Sequence, residues 1–238
     1  MKFSINIRRS NSFASGLRAL VIVAVLESSA GSLTGAEDVL AADSVPVYTT
    51  KVQSIVIDVE AKLDTKILTD LQLQLSRTFW QPVQVNALFR MDFEGVHTLG
   101  EKQYMMEDLM RAYERLRPVS PNVHHVLLID GQTYSPAKAR NYSLSRADYL
   151  RGSIGVISIE VLKLPKYVTA EFAQRRLTER LYKSIKKRLI HMYGYQVAIP
   201  DCLLRFFSSV EYIDQLPTDV CPTDRARLEA ARILRPLR

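Results

Sequence analysis

The chain has 238 residues, 47% of them hydrophobic and 24% charged, with 9 glycines and 10 prolines; this composition excludes collagen-like, low-complexity and disordered classes. The length suffices for one domain with a full core and is short for two. The net charge is +7, but residues 1–36 hold Lys2, Arg8, Arg9 and Arg18 against the single acid Glu27, so the rest carries +4, which does not by itself indicate a nucleic-acid binder.

Residues 1–36 read as a leader: basic residues, the apolar run Ala19–Leu26, then small residues ending in Thr34-Gly35-Ala36 before Glu37. This pattern predicts export to a periplasm or the exterior; an organelle-transit leader or a leader on a cytoplasmic protein is the alternative. The run is far below the roughly 20 residues a spanning helix needs, so no membrane anchor is expected once the leader is removed. Residues 37–53 are small and polar with Pro46, a linker ahead of a single domain at 54–238.

Within that domain, Ser54–Glu60 alternates Ile55, Ile57 and Val59 with polar residues, predicting a half-buried strand. Asp64 is placed to cap a helix whose stripe is Ile67, Leu68, Leu71, Leu75 and Phe79, and which ends before Pro82. A strand over Val83–Phe89 follows, then a loop, then a helix over Tyr104–Leu116 stopped by Pro118. Val123–Ile129 is an apolar run suited to a central strand covered on both faces. The polar stretch Asp130–Asp148 lacks periodicity and reads as a mobile surface loop, and Ser153–Glu160 as an edge or near-edge strand. This order predicts an α/β fold, a mixed sheet packed on helices.

Thr169–Tyr193 is the strongest helix signal, with Phe172, Ala173, Leu177, Leu181, Ile185, Leu189 and Met192 on one stripe. Its other side carries Arg180, Lys183, Lys186 and Lys187, a basic face that reads either as solvated surface or as a dock for an acidic protein, nucleic acid or anionic lipid. Nucleic acid is not favoured, because no aromatic residues alternate with these charges as a single-strand binder requires. After Gly194 come the chain's two cysteines, Cys202 and Cys221. They are candidates for a disulfide, for free thiols, or, with Asp224, for a depleted zinc site, and export would favour the disulfide. A last short helix is predicted over Thr223–Leu234, with Thr223 or Asp224 as its cap.

The stretch Tyr182–Asp224 resembles the archaemetzincins, a family of zinc metallopeptidases with the motif H-E-x-x-H-x-x-G-x-x-H-C, then C-x-M and a final C-x-x-C. His191 falls on the second histidine and Gly194 on the motif glycine. In that register Lys187 stands at the first histidine ligand, Arg188 at the glutamate base and Val197 at the third ligand. Of the family's second, four-cysteine zinc site, Cys202 and Cys221 remain, Ala198 and Asp224 replace the others, and Leu204 stands for the methionine. The resemblance extends over Ser54–Leu234, including a helix after Gln103-Tyr104, a strand ending in Asp130 and the strand GVISIEVLK. It implies a zincin-like domain with a long active-site-type helix. On a metzincin helix the two histidines aim at zinc from one face and the glutamate activates water. A protonated lysine has no lone pair to offer, and arginine stays cationic and cannot act as a base.

The sequence therefore predicts a metallopeptidase homologue without catalytic residues, a pseudopeptidase that binds a peptide or protein. No cofactor is expected; zinc is the one to test, with His191, Cys202 and Cys221 as its ligand candidates. One alternative is an active peptidase with an altered ligand set, for instance His191, Asp201 and a histidine from His124 or His125. The other is a basic anion- or nucleic-acid-binding module.

Overall fold

The computed structural model describes residues 52–117, 120–134, 143–148, 152–165, 167–195, 202–204 and 210–237. The leader and most of the linker therefore lie outside the described residues, as do Val197, Ala198 and Asp201. In chain order the elements are β1 (Ser54–Val59), α1 (Thr65–Thr78), β2 (Val83–Asn86), β3 (Thr98–Gly100), β4 (Gln103–Met105), α2 (Met106–Leu116), β5 (Val123–Ile129), β6 (Gln132–Tyr134), β7 (Ser143–Asp148), β8 (Gly152–Ser158), α3 (Ala170–Met192), α4 (Val210–Gln215) and α5 (Pro222–Ala230). No helix among the described residues is long and apolar enough to cross a membrane.

The main sheet has the order β2-β1-β5-β8-β7. β2, β1, β5 and β8 run parallel, and β7 is the antiparallel edge. Because side chains alternate along a strand, β5 feeds two cores. Val126 and Leu128 join the core with α1, α3 and α5, while Leu127 and Ile129 join Met106, Leu109 and Tyr113 of α2 on the other face. The sheet is an α/β layer covered on both sides, and the mixed α/β expectation holds.

Local sequence explains the helix ends. The Asp64 carboxylate accepts the Lys66 backbone N–H at 2.7 Å and starts α1. Thr169 starts α3 by accepting the Phe172 N–H at 3.4 Å. At the other end Gly194 takes a positive φ of 89°, a conformation glycine adopts without steric cost. Its N–H bonds the His191 carbonyl at 3.0 Å and the Tyr195 N–H bonds the Ile190 carbonyl at 3.3 Å, a Schellman ending. The helix therefore stops one residue after His191.

Several expectations change. The strand expected to reach Phe89 ends at Asn86, and the helix expected from Tyr104 begins at Met106, because Gln103–Met105 pairs into a three-stranded sheet, β3-β4-β6. The stretch taken for a loop supplies β6 and the edge strand β7, which leaves β8 in the near-edge position expected for it. α5 begins earlier than predicted, with Cys221 rather than Thr223 or Asp224 at its cap. Phe172, assigned to the apolar stripe, is exposed.

The largest correction concerns the basic face. Arg180, Lys183, Lys186 and Lys187 are all buried, with Lys183 and Lys186 only 2% exposed. Arg180 binds both Asp214 oxygens at 2.8 and 2.6 Å and the Leu162 carbonyl at 2.9 Å. Lys183 pairs with Glu179 at 2.7 Å and donates to the Ile213 carbonyl at 3.0 Å. Lys186 reaches Asp219 at 2.8 Å and the Thr218 carbonyl at 3.0 Å. These cations hold the segment 213–219 against α3 and do not form a solvent-facing strip. Burial is tolerated because each of these three charges meets both an acid and a carbonyl.

Candidate functional site

The C-terminal part of α3 brings Lys187, Arg188 and His191 together, with Lys187 and His191 one turn apart on one side of the helix. His191 is held neutral. Burial, reinforced by the charges of Arg188 and Lys187, pushes its imidazole down to about 3, against a hydrogen bond with the Leu204 backbone that works the other way. Lys187 is 7% exposed, and burial with the Arg188 charge lowers its ammonium to about 7. This end of the helix offers one neutral imidazole, one buried amine close to neutrality and one guanidinium.

The segment after Gly194 returns beside this cluster. Leu204, whose backbone meets His191, follows Cys202, and Cys202 is disulfide-bonded to Cys221 with the Cα atoms 5.3 Å apart, within the usual disulfide range. The Cys221 backbone N–H points at the Cys202 sulfur at 3.1 Å. The Asp224 carboxylate lies 3.8 Å from the same sulfur. Burial raises the Asp224 pKa, opposed by Arg227. Donor atoms of Cys202, Cys221 and Asp224 lie within 4.8 Å of one another, so reduction would expose a three-donor cluster. With the sulfurs joined, no thiolate is available to a metal. Of the three readings of the cysteines, the disulfide is the one present.

The other histidines divide as strand alternation requires. His124 points to the α3 side, its ring 4.4 Å from Tyr193 in an edge arrangement. His125 points to the α2 side, 6.5 Å from Tyr113. Burial and the neighbouring His125 push His124 down to about 3. Both His124 nitrogens and the Tyr193 hydroxyl are buried with no hydrogen-bond partner among the described residues. His97 lies far along the sequence from this cluster, its Nδ1 2.5 Å from Asp108 at the start of α2. The altered ligand set built on His191 and Asp201 lies partly outside the described residues.

One buried network was not foreseen. Asp58 on β1 is fully buried and accepts hydrogen bonds from Asn86 (3.0 Å), Tyr113 (2.9 Å) and Arg117 (2.8 and 3.0 Å). Burial pushes its pKa up, but the bonds from Arg117, Tyr113 and Asn86 outweigh it and hold the carboxyl below its ordinary value. No local signal marked it: Asp58 falls at a polar position of the β1 alternation, and it is buried because α2 covers that second face of the sheet.

No family model and no curated protein matches the chain. Its fold does have solved counterparts. An archaemetzincin from Archaeoglobus fulgidus, solved with malonate, superposes with a TM-score of 0.57 at 20% identity, covering 73% of this chain and 99% of that one. An archaemetzincin from Methanopyrus kandleri gives 0.58 at 17% identity, covering 76% and 95%. A zinc-dependent peptidase from Methanocorpusculum labreanum gives 0.57 at 16% identity, covering 74% and 100%. The chain has the archaemetzincin-like zincin fold.

Proposed function

We propose that this protein is a metallopeptidase homologue that binds a peptide or protein segment without hydrolysing it. The observation that carries the reading is the pair Lys187 and Arg188 on α3, one turn before His191. A zinc ion beside His191 would need a second donor from Lys187, whose lone pair is free only in the fraction that has lost its proton, and a lysine amine is not among the imidazole, thiolate and carboxylate donors that zinc sites use. Arg188 adds a permanent positive charge next to any dication and has no basic form to activate water. The disulfide likewise leaves the Cys202-Cys221-Asp224 cluster without the thiolates that structural zinc sites use. These residues do not fit the metal that the fold's relatives carry, so no hydrolytic step is derived for them.

The disulfide also supports an oxidising location, in line with export by the leader. Metal analysis of the purified full chain together with a general peptide-hydrolysis assay tests the proposal. The expected result is substoichiometric zinc and no turnover above buffer. Stoichiometric zinc with turnover abolished by a chelator overturns it and favours an active enzyme with an altered ligand set.

A further inference from the structure

A groove of about 980 Å³ lies between α1 and α3 and is bounded at one end by the C-terminal segment. Its α3 wall includes Arg175, Thr178 and Tyr182. His191 comes nine residues after Tyr182, two and a half helical turns on, and so faces the opposite side of α3. This groove is therefore separate from the cluster on which the proposed function rests.

The charges lining it do not balance. Asp70 is paired with Lys66 at 2.9 Å, Asp219 with Lys186 at 2.8 Å and with Arg225, and Glu179 with Lys183 at 2.7 Å and Arg176 at 3.1 Å. Arg77, Arg175 and Arg235 also line the groove, and none has an acidic partner among the described residues. Arg175 lies 5.6 Å from the Phe172 ring. Arg235 lies 5.3 Å from the Trp80 ring and donates to the Phe79 carbonyl at 2.7 Å. These contacts orient the two guanidiniums without neutralising them. Glu171 is the one lining acid left against the three. α1, α3 and the C-terminal segment each supply one of these arginines. Charge delivered from three separate elements suits several carboxylates better than one phosphate. The side-chain amides of Gln74 and Gln174 in the same walls are the groups that pair with peptide backbone.

We propose that this groove docks an acidic peptide segment of a partner protein, its carboxylates held by Arg77, Arg175 and Arg235. Fluorescence anisotropy with a labelled oligoglutamate peptide and the full chain at low ionic strength tests it. Saturable binding is expected, weakened by Arg77→Glu and by Arg175→Glu, by about tenfold or more when the two are combined, and weakened by salt. Both side chains are exposed, and unchanged circular dichroism would show that the variants fold. Arg90→Glu makes the same charge change on an exposed loop beside the α2 core and is expected to leave affinity as it was. The proposal fails if the peptide does not bind. It also fails if Arg90→Glu weakens binding as much as Arg77→Glu, or if an oligolysine peptide or an oligonucleotide of equal length binds more tightly.

Discussion

Replacing Asp58 with alanine removes the acceptor shared by Asn86, Tyr113 and both reaching nitrogens of Arg117. The Arg117 side chain is 34% exposed and Asp58 is fully buried, so the loss is unequal. The guanidinium can recover some hydration, whereas the Tyr113 hydroxyl, on a buried side chain, cannot. Breaking a buried ion pair from one side costs about 3–5 kcal/mol, and the partial access of Arg117 places Asp58→Ala at the lower end. For a domain of this size that corresponds to a fall in Tm of roughly 6–12 °C. Urea unfolding followed by circular dichroism measures it. The dependence on pH has a definite sign. The folded carboxyl titrates below its ordinary value, so its contribution is fully present above the unfolded carboxylate pKa of about 3.9 and is lost as pH falls through the folded pKa. The gap between the native chain and Asp58→Ala should thus be constant from neutral pH to about 5 and narrow on further acidification. A cost below about 1 kcal/mol at neutral pH, the value of an exposed pair, would refute the reasoning.

Converting Cys202 and Cys221 to alanine opens a bond between residues 19 apart and should lower stability by about 3 kcal/mol, read as the urea midpoint with and without reductant on the native chain. If reductant leaves the midpoint unchanged, the sulfurs are not joined in solution. Gly131 has a φ of 148°, and a Cβ there would lie 2.7 Å from the Lys102 carbonyl and from the Tyr104 ring. Gly131→Ala should cost about 2 kcal/mol, with thermal melts as the check, and a neutral effect would mean that the approach of Gly131 to the start of β4 is looser than the geometry requires. Tyr193→Phe removes a buried hydroxyl that has no partner among the described residues and should be neutral or stabilising by about 1 kcal/mol; destabilisation would reveal a bound water or another partner.

Where one segment's own periodicity carried the information, the sequence was sufficient. Ile55, Ile57 and Val59 alternate into β1, the stripe through Leu71 and Leu75 builds α1, and Thr169 and Gly194 mark both ends of α3 within a residue. The same holds for Arg188, a guanidinium that stays cationic wherever it sits, but not for Lys187, whose ammonium burial lowers to about 7. Other features belong to tertiary structure. β7, SLSRAD, has no apolar alternation and becomes a strand only because β8 offers it an open edge. The strands of the small sheet are three residues each, too short for a pattern to register. The cations Arg180, Lys183 and Lys186 look like solvated surface until Asp214, the Ile213 carbonyl and Asp219 from the distant segment 213–219 fold back over them in turn. A short-range pattern records which face of an element is apolar. Whether a charged face meets water or its counter-charge depends on contacts between distant parts of the chain, and only folding brings those together.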